Sequence, residues 1–256
     1  MPPPIDAESF TEALDRAVRI LRPAKKVAVL TGAGISAESG LATFRGGGGL
    51  WEGQRIEDVA TPRAFARDPL LVWRFYNLRR ANLATVNPNP GHRALVELEN
   101  RLGADFTLVT QNVDGLHQAA GSHNVLEIHG ALRRVRCVGC QRVSDRGVEV
   151  LPELPHCEER GSLLRPDVVW FEEALPDDIW GRAVEAVQAC DCFLVVGTSA
   201  VVYPAAGLID VARMEGADVI EANLEPSAVS TRVNILLLGP AGTSLPELLK
   251  RMKEEG

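Results

Sequence analysis

The sequence predicts a doubly wound α/β fold, a Rossmann-like parallel sheet with helices on both faces, carrying a smaller second domain. Three observations lead there. Five short apolar runs, Val27–Leu30, Phe106–Val109, Phe193–Val196, Asp218–Ile220 and Asn234–Leu238, lack the polar alternation of a half-exposed strand. Unalternated Val, Leu and Ile belong to strands covered on both faces. Helical patterns lie between them, over Glu8–Leu21, His92–Leu102, Ile179–Ala189 and Pro204–Glu215, and strands alternating with helices build parallel sheets. The first run also leads straight into Gly32-Ala33-Gly34, the kind of turn that opens a nucleotide-binding unit.

Taken in order, the strand at Val27 is followed by Gly32-x-Gly34-x-x-Ala37. The first glycine permits a tight turn, the second lets backbone approach a pyrophosphate, and a small third residue lets the next helix pack closely. A plain turn is the alternative. An ordinary dehydrogenase needs an acid about twenty residues on. Here stands Phe44-Arg45-Gly46, and arginine suits a phosphate, which counts against hydride transfer. Two stretches then break the alternation. Residues 46–90 hold Trp51, Trp73, Phe75 and Tyr76, and residues 133–164 hold three of the five cysteines. They are expected to join into a small domain beside the sheet domain of residues 1–45, 91–132 and 165–256. The cleft between the two would lie beyond the carboxyl ends of the strands, where ligands bind.

Composition narrows the class. Of the 256 residues 46% are hydrophobic and 24% charged, the usage of a globular protein and not of a disordered or collagen-like one. No apolar run approaches the ~18–20 residues of a membrane span. A net charge of −7 disfavours a protein living on nucleic-acid phosphates. Met1-Pro2-Pro3-Pro4 begins no basic-then-apolar leader, and five cysteines is an odd number. A cytoplasmic protein with thiols or a metal is therefore expected rather than a disulfide framework. No oligomeric state follows.

Six blocks carry a resemblance. They are Gly32-Ala33-Gly34-Ile35-Ser36-Ala37-Glu38-Ser39-Gly40-Leu41-Ala42-Thr43-Phe44-Arg45-Gly46, Thr110-Gln111-Asn112-Val113-Asp114-Gly115-Leu116-His117, His129-Gly130, Val168-Val169-Trp170-Phe171, Gly197-Thr198-Ser199 and Asn223-Leu224-Glu225. In these the chain resembles the sirtuins, NAD-dependent protein lysine deacylases, over nearly its whole length. The resemblance implies that NAD is consumed. Its bond to nicotinamide breaks, the acyl oxygen of an acyl-lysine attacks the ribose, and a deprotonated ribose hydroxyl takes over the acyl group. The products would be lysine, nicotinamide and O-acyl-ADP-ribose. Acylated-lysine proteins or peptides are the implied partners.

The resemblance also distributes roles. His129 would be the base, and histidine is the side chain suited to proton abstraction near neutral pH; a strand-end cap is its bland alternative. Asn112 and Asp114 would form the nicotinamide pocket, although an Asx turn explains both. Gln111 would meet the ribose hydroxyls. Gly32, Ala33, Gly34, Ile35, Glu38 and Arg45 belong to the cofactor-binding block. Phe44 would shield the reacting ribose from water, unless it is simply core. Gly197, Ser199 and Asn223 would hold the adenosine half, and Val169 and Phe171 the acyl-peptide.

Tyr76 and Arg79, three apart, share a face if their segment is helical, and arginine's fork with a tyrosine hydroxyl suits a carboxylate. By resemblance this pair, with Ala60 leaving room, implies the branch that removes malonyl, succinyl or glutaryl groups. A solvated basic face made by Arg74, Arg79 and Arg80 is the alternative. A plain deacetylase, an ADP-ribosyltransferase and an NAD-sensing module remain as other functions.

Cys137-x-x-Cys140 is half of a tetrahedral zinc site. The other half reads Cys157-Glu158-Glu159-Arg160, so arginine stands at the fourth ligand's place. His156, Glu158 or Glu159 are possible substitutes, and a metal-free module is the alternative. Cys190 and Cys192 are expected in the core. A second departure is Glu172, where the family has glycine between Phe and Glu, in a strand expected to pair with the peptide.

Overall fold

The computed structural model describes residues 10–43, 50–51 and 54–254. In chain order the elements are α1 (Phe10–Leu21), β1 (Val27–Thr31), a 3-10 helix (Ala33–Ser39), β2 (Leu50–Trp51), β3 (Gln54–Arg55), α2 (Ile56–Val59), α3 (Pro62–Arg67), α4 (Pro69–Leu83), α5 (Pro90–Leu102), β4 (Phe106–Thr110), α6 (Leu116–Ala120) and β5 (Val125–Glu127). Then follow β6 (Gly130–Cys137), β7 (Val143–Asp145), β8 (Leu164–Val168), α7 (Asp177–Gln188), β9 (Cys192–Val196), α8 (Leu208–Met214), β10 (Asp218–Asn223), β11 (Ile235–Leu238) and α9 (Ala241–Glu254).

The main sheet is six-stranded in the order β11-β10-β9-β1-β4-β5, and every pair in it is parallel. Numbering these strands along the chain gives 3-2-1-4-5-6, the doubly wound order whose direction reverses at its first strand. β1 is buried along its whole length, which is why its sequence shows no alternation. Period-2 geometry still sorts its side chains. Val27 and Val29 face the layer of α1, α5 and α9, while Ala28 and Leu30 face the layer of α7 and α8. Cys192 joins the first layer and Cys190 the second.

A third cluster brings Val72, Trp73, Phe75 and Tyr76 of α4 against Val135, Cys137, Leu164, Val168 and Trp170. These last belong to or adjoin a small antiparallel sheet ordered β7-β6-β8. The five apolar runs all became parallel strands. β5, only three residues long, shows no pattern, whereas α9 has an apolar face as periodic as that of α7 and is an addition to the expected helices. The helix expected over 204–215 is a 3-10 turn followed by α8. The strand expected to carry Val169 and Phe171 ends at Val168. Residues 170–173 form a turn instead, closed by the Glu173 N–H donating to the Trp170 carbonyl at 3.1 Å. Among the described residues no helix is long and apolar enough to cross a membrane.

Candidate active site

At the reversal point the loops leaving β1 and β9 run side by side. Gly32 N donates to Val196 O at 3.0 Å and Gly34 N to Gly197 O at 2.7 Å. A Cβ on Gly34 would lie 2.7 Å from Gly197 Cα, and one on Gly197, itself at φ +59°, would lie 2.3 Å from Ile35 N. The second glycine of the loop therefore makes room for the neighbouring loop while it also lines the cavity.

A cavity of about 580 Å³ opens beside these loops, within the range of small-molecule sites. It is lined by Gly32, Ala33, Gly34, Gln111, Asn112, Asp114, His129, Gly197 and Ser199, and also by Ala60, Tyr76, Arg79, Val169 and Phe171. Three expected cofactor contacts are not on its wall. Ile35 is fully buried in the core, Glu38 accepts the Gly242 N–H at the start of α9 at 2.6 Å, and Asn223 donates to Thr198 O at 2.8 Å behind the wall. Phe44 and Arg45 lie outside the described residues.

His129 sits where β5 passes into β6. Gly130 follows at φ +79°, and a Cβ there would meet Asp167 O at 2.1 Å, so only glycine fits. The Gln111 carbonyl lies 3.0 Å from His129 Nδ1. A carbonyl only accepts, so Nδ1 carries the proton and Nε2 keeps its lone pair. Burial lowers the His129 pKa, partly opposed by that carbonyl, so the ring is neutral at pH 7.

Asn112 is held by two donations from Nδ2, to Gly32 O at 3.1 Å and to Ser36 Oγ at 3.3 Å, which leaves its amide oxygen as an acceptor. Ser36 Oγ donates in turn to Asp114 Oδ2 at 2.8 Å. Asp114 Oδ1 accepts the Leu116 N–H at 2.9 Å, so the bland reading of an Asx cap is also correct for this residue. Burial pushes the Asp114 pKa up against the Leu116 and Ser36 donors.

Behind these groups is a layer to which the sequence alone gave no role. His117 Nε2 is 2.9 Å from Thr31 Oγ1, which donates to Thr110 Oγ1 at 2.8 Å; Thr110 Oγ1 accepts the Asn112 N–H at 3.1 Å. The rings of His92 and His117 stand 4.9 Å apart. Burial pushes their pKa values down to about 4 and about 3. One signal was legible: Asn89-Pro90-Gly91-His92 is a capping box, with Asn89 Oδ1 accepting from Gly91 N and His92 Nδ1 accepting from Asn89 N.

On the same wall α4 presents Tyr76 and Arg79 together, the guanidinium carbon 5.8 Å from the Tyr76 ring centre. Tyr76 is buried, and burial raises its pKa despite Arg79. Ala60 O accepts the Phe171 N–H at 3.0 Å, which ties the turn at 170–173 to this wall. The three arginines do not form a solvated basic face. Arg74 pairs with Glu153 at 2.9 Å on the surface, Arg79 lines the cavity, and Arg80 is 1% exposed. Glu172 has φ +75° at the third position of its turn, where type II turns favour glycine; that is the physical content of the glycine it replaces.

The sulfurs of Cys137, Cys140 and Cys157 all lie within 4.8 Å of one another. The Cys140 N–H donates to Cys137 Sγ at 3.4 Å and, as the largest cause, pulls that thiol down to about 7. These thiols fit three corners of a zinc tetrahedron. Arg160 and His156 are exposed, Glu158 pairs with Arg146 at 3.1 Å and Glu159 pairs with Arg142. A four-ligand site is worth about 10–16 kcal/mol, or about 3 kcal/mol per ligand. Arg160→Cys should therefore tighten zinc binding about a hundredfold in competition with a chromophoric chelator. Equal affinities would show that residue 160 does not face the metal.

The residues from 32 to 204 match the model of the Sir2 family. An NAD-dependent protein deacylase 2 of Pyrobaculum aerophilum is 51% identical over 91% of this chain and 94% of its own. A mitochondrial NAD-dependent protein deacylase sirtuin-5A of Xenopus laevis is 44% identical over 91% of this chain and 84% of its own. Among solved structures, a Sir2 homolog in complex with NAD superposes with a TM-score of 0.87 at 43% identity, covering 94% of each chain. With that likeness along nearly its full length, the chain belongs to the Sir2 family.

Proposed function

We propose that this chain is an NAD-dependent protein lysine deacylase that prefers acyl groups ending in a carboxylate, succinyl and malonyl above all. The observation that carries the preference is the Tyr76–Arg79 pair on the wall of the cavity that His129 also lines, with the small Ala60 on that wall too. Burying a carboxylate without a partner costs several kcal/mol. A pocket ending in guanidinium and phenol donors repays that cost, and an acetyl group does not reach them.

In this reading Gly32, Ala33, Gly34, Gln111, Asn112, Asp114, Gly197 and Ser199 hold NAD, which supplies the nicotinamide–ribose bond that breaks and the ribose that receives the acyl group. Asn112, fixed through Nδ2, offers its amide oxygen to the nicotinamide carboxamide. His129 takes a proton at Nε2 while Gln111 O keeps Nδ1–H in place. Val169 and Phe171 guide the acylated peptide. The division into an NAD-binding domain (residues 1–45, 91–132 and 165–256) and a small domain (residues 46–90 and 133–164) is part of the proposal. A cytoplasmic setting is too, supported by five unpaired thiols.

The test compares kcat/KM on acetyl-, malonyl-, succinyl- and glutaryl-lysine peptides. A hydrogen bond to a charged group is worth about 1.5–3 kcal/mol. Arg79→Met should therefore lower succinyl turnover by about 10–100-fold and acetyl turnover far less. Equal losses on the two substrates sink the acyl preference.

A further inference from the structure

Behind Tyr76 stands a residue fixed from several sides. The Trp170 indole N–H donates to the Tyr76 hydroxyl oxygen at 2.9 Å. The Trp170 backbone N–H donates to Glu173 Oε2 at 2.8 Å. The Arg165 guanidinium carbon lies over the indole, 3.5 Å from its ring centre. It grips Glu173 with two donations, Nη1 at 2.6 Å and Nη2 at 2.8 Å. Phe65 packs on the indole at 5.2 Å between ring centres. Glu173 thus holds both the backbone of Trp170 and the cation that covers its ring.

This arrangement decides what the phenol can do. A tyrosine hydroxyl has one proton and can also accept, whereas an indole N–H only donates. With Trp170 donating to it, the Tyr76 oxygen spends acceptor capacity there, and its proton cannot go back to the indole. We infer that Trp170 is a positioning residue for acyl specificity, fixing the Tyr76 hydroxyl as a donor, beside Arg79, to a carboxylate at the end of the acyl chain. A phenylalanine at position 170 would fill similar space and leave the phenol free to turn. Burial, which raises the Tyr76 pKa, keeps that proton on the oxygen at neutral pH. The inference rests on the acidic-acyl reading above.

The experiment is a double-mutant cycle of Trp170→Phe and Tyr76→Phe, read as the ratio of kcat/KM on succinyl- to acetyl-lysine peptide, with Arg79→Met alongside. One hydrogen bond is worth about fivefold. Trp170→Phe should lower the ratio by about that factor, mainly through KM for the succinyl peptide. In the Tyr76→Phe background it should lower the ratio no further. If Trp170→Phe does not fold, benzothienylalanine at position 170 keeps the indole's shape without its N–H, and the same ratio is expected to fall. If Arg79→Met is selective for succinyl while the position-170 variants leave the ratio unchanged or act equally without Tyr76's hydroxyl, the inference alone is overturned. If Arg79→Met is not selective, the acidic-acyl reading falls and takes this inference with it.

Discussion

His129→Tyr is expected to lower kcat by about 10²–10⁴-fold on acetyl- and succinyl-lysine peptides alike, the range that general-base catalysis supplies. The equality of the two losses matters, because a base serves a step common to both substrates, whereas in the proposed reading Arg79 serves only one. The geometry explains why this histidine and not the others. His92 and His117 are fully buried among hydroxyls and their own ring contact, and His123 is exposed with Nδ1 beside Gly121 O. His129 lines the cavity with Nδ1 committed to Gln111 O, leaving Nε2 for the substrate. The direction of the pH dependence follows from burial. A base works in its neutral form, and its pKa lies below the ordinary value of about 6.5. The rate should therefore be flat around neutrality and fall only as pH drops below that value. A pH–rate profile of kcat/KM checks this; a residual activity within tenfold of the parent would remove His129 from the role.

How much of this was legible follows from what each element asks of sequence. The parallel strands are short apolar runs because both their faces are covered, so composition alone marks them. β5 escaped because three residues cannot display a pattern. The cavity-wall residues His129, Asn112 and Arg79 were legible through the motifs that resemble the sirtuins, since residue chemistry alone left bland alternatives for each. Wall residues were not legible where the force is packing between distant segments. Gly34 needs to be glycine because Gly197, far along the chain, occupies its side-chain space. Ser36, Thr31 and Thr110 act as a hydrogen-bonded layer only once β1 and β4 are paired at Thr31↔Thr110. The arginines of α4 divide in a way that spacing alone does not reveal. Three cations in seven residues look like a solvated face, yet one is at the surface, one in the cavity and one in the core.

That core arginine carries the largest stability effect expected around α4 and the β7-β6-β8 sheet. Arg80 Nε donates to Glu149 O at 2.8 Å, Nη2 to Gly147 O at 2.8 Å and to Arg146 O at 3.2 Å, and Nη1 to Leu132 O. One side chain thus ties α4 to β6 and to the segment after β7. Arg80→Met removes the donors and leaves the Leu132 carbonyl buried without them, whereas water can reach Arg146 and Glu149, which are exposed. One orphaned buried acceptor costs about 1–3 kcal/mol, and lost bonds to a charged donor add to it. The desolvation that the guanidinium no longer suffers subtracts from it. The balance is a loss of about 2–4 kcal/mol, a large share of the roughly 5–15 kcal/mol that holds a domain together. The midpoint of thermal unfolding should drop by about 5–15 °C. Arg80→Lys should fall by an intermediate amount, because an ammonium cannot fan its donors across carbonyls on two sides. Proteolysis should first cut between residues 146 and 152, which keep the Asn77–Leu151 pair at 2.8 and 3.0 Å and the packing of Val148 and Leu151 on the cluster that includes α4. Tyr76 and Arg79 sit on the turn of α4 just before Arg80, so the succinyl-to-acetyl ratio should fall with it. An unchanged unfolding midpoint in Arg80→Met would mean that these carbonyls find other donors and that α4 is held by its apolar face alone.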